Sequence, residues 1–301
     1  RARNSRLVLV TGPAGMGKTR LVEEAARQIP GPGVVIVMGN CYAMEAGTPY
    51  QLIADLVRNA ADRLAGRLPP AARADLAYLA PGLAPGAPPA IPGEAGSAPD
   101  MSLRLQEAFT QMVRALAAGA EGLWLVAEDL HWADPVSLAC LNHALRRCAD
   151  LPVLALATLR DEEVLFDSPL MDWPTSSVHA PAPTTIIRLA PLALDHVDRL
   201  VRQIVESGAA RLAPLLHHET AGNPFFVVET LRAMIEQGVL HLGSGGQWRL
   251  RADALTEASD LPMSDAMLRV IRGRVRRLSR AAQELLTAAA VVEHDIDEPL
   301  L

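Results

Sequence analysis

The residues TGPAGMGKTR, Thr11–Arg20, carry the clearest chemistry in the chain. Gly12, Gly17, Lys18 and Thr19 match GxxxxGK[ST] without a mismatch, with an apolar run before them and a helical pattern after. Each residue type serves a polyphosphate. The glycines admit backbone angles that let successive N–H groups converge on phosphate oxygens. A helix opening near Gly17 adds the positive end of its dipole. Thr19 offers a hydroxyl to Mg²⁺. Lys18 is the only lysine among the 28 basic residues; every other one is arginine. A compact ammonium fits between terminal phosphates where a planar guanidinium does not, so the site retains the residue type that the rest of the chain has given up. Gly12, Pro13, Ala14, Gly15, Met16, Gly17, Lys18, Thr19 and Arg20 are therefore the expected nucleotide contacts, for ATP or ADP with Mg²⁺.

A second signal is LWLVAEDLHWAD, Leu123–Asp134, an apolar run that ends in Glu128–Asp129. Beside a phosphate loop, an acid at the end of a neighbouring strand holds Mg²⁺, and a second can orient or deprotonate water. Neighbouring strand residues point to opposite faces, so both acids serve only if the chain is already turning there. Glu128 is assigned to Mg²⁺ and Asp129 to the water, and the two roles are exchangeable at this level. His131, Trp132 and Asp134 fit packing or capping as well as chemistry, with Asp134 before Pro135 as a helix N-cap. A third run, ATLRDEE, places Thr158 or Arg160 at the same sheet edge near a terminal phosphate; pairing of Arg160 with Asp161 or Glu162 is the plainer alternative.

The elements that must position these residues are short apolar strands alternating with helices. Strands are expected at Leu7–Val10, Val34–Met38, Leu123–Ala127, Val153–Thr158 and Thr185–Leu189. Helices are expected from Gly17, Pro49, Ser102 and about residue 136. That alternation means an α/β fold with a parallel five-stranded sheet covered by helices on both faces. Residues 69–99, rich in Pro, Ala and Gly, are expected as a long surface excursion. After Leu192 the alternation stops. Helices over Leu194–Ser207, Ala210–Thr220 and Pro224–Gln237 precede a hairpin over Gly238–Arg251, turning at Ser-Gly-Gly. Two helices follow, at about 265–278 and 280–292. The expected domains are 1–192 for nucleotide binding, 193–238 as a helical lid, and 239–301 as a winged-helix-like domain cut short.

Composition narrows the remaining classes. In 301 residues half are hydrophobic and 4% aromatic, so the core must be aliphatic. A net charge of −6 argues against the whole chain being a nucleic-acid binder. Cys41, Cys140 and Cys148 show no metal-binding spacing and read as reduced core or surface thiols of a cytoplasmic protein. Neither a signal peptide nor an apolar run of membrane-spanning length is present, and the chain is expected to be part of a longer protein. Arg269, Arg272, Arg274, Arg276, Arg277 and Arg280 alternate with Val270, Ile271, Val275 and Leu278. That spacing reads as an amphipathic helix with a solvated or domain-facing basic side rather than a DNA-contact helix.

Five blocks together, TGPAGMGKTRLVEE, GNCYAMEAGTPYQLIADLV, WLVAEDLHWADPVSL, LATLRDEE and AGNPFFVVETL, resemble the ATPase module of STAND-type signalling NTPases. The nearest resemblance is to the large ATP-binding regulators of the LuxR type and related actinobacterial transcriptional activators. It implies an AAA-like P-loop core followed by a helical lid and a winged-helix-like domain. It implies slow ATP hydrolysis that switches attached regulatory and DNA-binding domains, with homo-oligomers among the partners, and no membrane. It also implies that the Gly222-Asn223-Pro224 turn lies against the base or ribose. The acidic pair departs from the Asp–Asp or Asp–Glu common in that family. A DNA-loading initiator-type ATPase and a scaffold that holds ADP without hydrolysis are the competing readings.

Overall fold

A computed structural model of the chain describes residues 4–28, 33–45, 47–64, 66–83, 98–161, 182–243, 246–251 and 261–292. The chain divides into two compact units, Arg1–Ala190 and Pro191–Leu301.

In the first unit, β1 (Arg6–Thr11), β2 (Val34–Asn40), β3 (Gly122–Glu128), β4 (Val153–Leu159) and β5 (Thr184–Arg188) form one sheet. All the pairings are parallel, in the order β2-β3-β4-β1-β5. β4 is inserted between β1 and β3, so the C-terminal ends of β1, β4 and β3 lie side by side. Such an edge, where the strand order reverses, is where open parallel sheets bind ligands.

Side-chain alternation assigns the two faces. Leu7 and Leu9 of β1, Leu123 and Leu125 of β3, and Ala155 and Ala157 of β4 enter the larger core. That core is closed by α2 (Gln51–Leu64), α3 (Pro70–Leu79), α4 (Ala98–Ala117) and α5 (Pro135–Arg147). Val10, Val126 and Leu156 face the other way and pack with Val22 of α1 (Lys18–Gln28). By this period of two, Glu128 and Thr158 belong to the α1 face, the same side as the start of the helix that carries Lys18 and Thr19.

Two expectations are corrected. The stretch from 69 is not all surface excursion. α3 begins with Pro70 in its first turn, where a missing N–H costs nothing, and it buries Ala72 and Leu76 in the main core. Residues 84–97 lie outside the described residues. The helix expected over Leu194–Ser207 ends earlier: α6 spans Leu194–Ile204, and Val205–Ser207 is a strand, β6. Val205 is buried and β-branched, and it pairs in parallel with Trp248 of β8 (Trp248–Leu250).

The second unit continues with α7 (Ala209–Thr220), α8 (Pro224–Glu236) and the antiparallel pair β7 (Leu240–Leu242) and β8; Ser244 and Gly245 of the expected turn lie outside the described residues. β6, β8 and β7 form one three-stranded sheet. Val201, Leu212, Leu216, Leu231 and Met234 build its core with Leu240, and Trp248 packs against them. α9 (Asp265–Arg277) and α10 (Arg280–Val292) follow. Arg269, Arg272 and Arg276 are exposed on α9 while Met267 is buried, the arrangement of an amphipathic helix.

Candidate functional site

The loop between β1 and α1 takes the backbone form that its glycines permit. Gly12, Gly15 and Gly17 have φ of +145°, +86° and +86°. A side chain at Gly12 would stand 2.9 Å from the Leu189 carbonyl oxygen, so both its conformation and the space around it exclude other residues. Lys18 opens α1 and is buried, with Nζ donating to the Gly12 carbonyl at 2.7 Å and to that of Pro13 at 2.9 Å. The ammonium is thus held inside the loop it must serve. Arg20 points elsewhere: its guanidinium runs along α1 to Glu23 and Glu24, at 3.8 and 3.6 Å.

Glu128 closes the site from β3 and is only 5% exposed. Its Oε2 accepts from the Thr19 hydroxyl at 2.9 Å and from the Thr158 hydroxyl at 2.7 Å. Its Oε1 is buried without a hydrogen-bond partner among the described residues. A buried carboxylate oxygen left this way costs free energy unless a cation or donor completes it. A hydroxyl and a carboxylate oxygen side by side are hard donors of the kind Mg²⁺ takes, and the ion draws its remaining ligands from phosphate and water. The residues present therefore fit a Mg–nucleotide.

Asp129 is placed by a turn that the strand pattern alone does not show. Its φ and ψ are 52° and 45°, left-handed, and its N–H donates to the Thr158 hydroxyl at 2.9 Å. The chain is thus already turning where the two acids meet, which is the condition under which both can face one site. Arg160 Nε stands 3.7 Å from Asp129 Oδ1, an ion pair between the ends of β4 and β3, and Glu162 of the plainer alternative lies outside the described residues. Thr158 is wholly buried at the end of β4 and joins Glu128 to Asp129. Its sequence signal is a hydroxyl one residue before the end of an otherwise apolar strand.

Asp134 is the N-cap of α5, its Oδ1 accepting from Ser137 N at 2.8 Å and from Tyr50 N at 3.1 Å. Nothing in the sequence pointed to the Tyr50 contact, which draws the chain before α2 onto the β3–α5 turn and holds Tyr50 at a φ of 63°. Cys41, Cys140 and Cys148 are all buried, so none is a surface thiol. Burial pushes the first two up to about 12 and the third to about 11, leaving them unreactive thiols.

Pro224 lies in the second unit at the first position of α8. Asn223 caps that helix, Oδ1 accepting from Phe225 N at 3.0 Å. Gly222 is obligatory there: at φ +70°, a side chain would meet the Leu192 carbonyl oxygen at 2.2 Å. Local backbone geometry thus accounts for the Gly-Asn-Pro sequence.

The profile of the AAA ATPase domain family matches residues 1–156, and the chain belongs to that family. It is a P-loop ATPase domain by strand order and phosphate loop alike. A Rhizobium meliloti (strain 1021) protein described as uncharacterized, R02095, is 26% identical over 313 residues. That alignment covers 98% of this chain and 28% of the relative, so the chain spans under a third of the relative's length. Among solved structures, Aeropyrum pernix ORC1 in complex with DNA aligns over 96% of this chain and 66% of its own, at 13% identity and a TM-score of 0.44. A Pyrococcus horikoshii STAND protein with a tetratricopeptide repeat sensor, PH0952, aligns over 99% and 34%, at 14% identity and 0.38. The Thermotoga maritima RuvB Holliday junction branch migration motor aligns over 82% and 58%, at 13% identity and 0.38. Among the described residues, no helix is long and apolar enough to cross a membrane.

Proposed function

We propose that the chain is the ATP-binding and ATP-hydrolysing switch module of a signalling regulator, whose nucleotide state controls attached domains. The observation that carries this is the meeting of Thr19 and Glu128 under the phosphate loop, with Glu128 Oε1 buried and lacking a hydrogen-bond partner among the described residues. The loop amides, the Lys18 ammonium and the positive end of α1 bind the phosphates of ATP or ADP. Thr19 and Glu128 hold Mg²⁺. When bound there, Mg²⁺ would supply positive charge against that of the phosphates. Asp129 orients the attacking water and takes its proton, while Thr158 keeps both acids in place. Arg160, beside Asp129, supplies positive charge for the terminal phosphate.

In this reading residues 1–192 bind nucleotide, and the lid 193–238 and the winged-helix-like 239–301 share the sheet β6-β8-β7. A ligand present at about 100 times its dissociation constant biases its preferred state by about 2.7 kcal/mol, enough to run a switch. Slow hydrolysis resets it. The EDLHWADP and GNPFF blocks support placement among STAND regulators of the large ATP-binding LuxR type, working in the cytoplasm with transcription as the output. Self-association is the expected assembly, and DNA contact is left to attached domains.

The test is phosphate release by purified protein with Mg-ATP, with and without DNA, in wild type, Glu128→Gln and Asp129→Asn. Wild type should release phosphate slowly and independently of DNA. Each variant should fall at least tenfold while still binding nucleotide. Equal release in all three removes the assignment of the acids. Strong stimulation by DNA favours an initiator-type loader, and retained ADP with no release favours a scaffold.

A further inference from the structure

The geometry points to His131 as a positioning residue for Asp129, one that fixes which carboxylate oxygen faces the water. This rests on the reading of Asp129 as the water-orienting acid. The starting observation is that His131 is not a surface histidine: its side chain is wholly inaccessible, in a chain segment that leaves Asp129 about one-third exposed.

The segment after β3 is a single 3₁₀ turn, Leu130–Trp132, closed by the Trp132 N–H donating to the Asp129 carbonyl at 2.9 Å. Leu130 anchors the turn in the main core, and the Trp132 ring packs against the imidazole with centroids 5.0 Å apart and planes tilted by 49°. The imidazole therefore has a fixed place. Its Nδ1 stands 3.9 Å from Asp129 Oδ1. Arg160 Nε, arriving from the end of β4, stands 3.7 Å from the same oxygen.

A carboxylate on a fixed backbone keeps two rotations, χ1 and χ2. The backbone of Asp129 is held by its left-handed turn and by its N–H bond to Thr158. Two groups on separate elements then converge on one oxygen. Neither distance is a hydrogen bond, so the hold combines the Arg160 charge with the polar edge of a rigidly set imidazole. With Arg160 and His131 both on the Oδ1 side, Oδ2 is the oxygen turned away from them and toward the water. An acid that can spin presents either oxygen in many directions. One held on its Oδ1 side presents Oδ2 in one fixed orientation, which is the geometric requirement for general base work.

A packing role predicts something different, because leucine fills similar space. His131→Leu keeps the apolar contacts and removes the nitrogen. His131→Asn places an amide nitrogen close to where Nδ1 lies, and His131→Gln places one nearer to Nε2. The experiment measures steady-state phosphate release at saturating Mg-ATP, the equilibrium affinity for a fluorescent ATP analogue, and thermal stability, for these three variants and Asp129→Asn.

The expected result is a kcat about tenfold lower for His131→Leu with analogue affinity within about twofold, and substantial recovery in Asn but not in Gln. Wild-type kcat in His131→Leu, or equal impairment of Asn and Gln, overturns the inference. If the leucine variant does not fold, the Asn–Gln comparison decides alone. Failure of the underlying reading is distinct: Asp129→Asn would then turn over like wild type, and the inference falls with it. An impaired Asp129→Asn beside an unimpaired His131→Leu removes only the role of His131.

Discussion

Thr158→Val isolates the polar joint of the site, because it removes a hydroxyl and leaves shape and volume nearly unchanged. That hydroxyl donates to Glu128 Oε2 at 2.7 Å and accepts the Asp129 N–H at 2.9 Å, and the residue is wholly buried. Loss of a hydrogen bond to a charged group costs about 1.5–3 kcal/mol, and a buried N–H left unpaired costs about 1–3 kcal/mol. The two losses share one atom and partial relaxation recovers some of each, so a net destabilisation of about 3 kcal/mol is expected. For a unit the size of Arg1–Ala190, each kcal/mol lowers the melting temperature by about 2–4 °C, so the expected drop is about 6–12 °C. Thr158→Ser, which keeps the hydroxyl, should lose far less. Calorimetric melting without nucleotide reads the stability, and phosphate release reads the acids. A Thr158→Val protein that melts within a degree of wild type would show that the hydroxyl does not hold the edge together, and the argument from its two bonds would be wrong.

Four further outcomes follow from the same geometry. Lys18→Ala should weaken ATP binding by at least about 100-fold in calorimetry, without loss of the folded state, because the ammonium's bonds to the Gly12 and Pro13 carbonyls lie within the phosphate loop. Gly12→Ala should destabilise the first unit by about 2 kcal/mol or more and abolish binding, since the added carbon would stand 2.9 Å from Leu189 O at a φ of +145°. Leu76→Ala should cost about 2–5 kcal/mol in denaturant titration, which tests whether α3 belongs to the core. The cysteines set a pH dependence. Their folded values of about 12, 12 and 11 lie above the unfolded 9.0, so their contribution is complete below pH 9 and is lost as pH rises from 9 towards 12. Native protein at pH 8 should resist thiol alkylation that proceeds readily in denaturant.

The fold was legible where local pattern and global architecture agree. Leu7, Leu9, Leu123, Leu125 and Ala155 face one core and Val8, Val10, Trp124, Val126 and Leu156 the other, so continuous apolar runs announced a doubly covered sheet. The excursion after residue 69 was misjudged because Pro and Ala read as loop composition, whereas a proline at the first turn followed by Ala72 and Leu76 is a helix start with a buried stripe. The strand Val205–Ser207 was invisible because its partner, Trp248, is some forty residues away and only pairing makes three residues a strand. Within the site, Lys18, Thr19 and Glu128 were readable from type and position. The Tyr50–Asp134 bond and the approach of Arg160 to Asp129 were not, since each joins elements that the sequence keeps apart, and the turn that brings His131 to the same oxygen has no sequence signal.

By itself the sequence determined the chemical inventory: an ammonium behind a glycine loop, a hydroxyl beside it, and two acids at the end of an apolar strand. Those choices are local, enforced by backbone angles available to glycine and by the charge of single side chains. Tertiary structure decided which neighbours each acid meets. Parity along β3 sends Glu128 to the α1 face, where Thr19 and Thr158 take one oxygen and the other remains for a cation. A left-handed turn breaks that parity one residue later and swings Asp129 to Arg160 and His131. Adjacent residues acquire different neighbours because the strand ends between them, and where a strand ends is set by the elements packed around it.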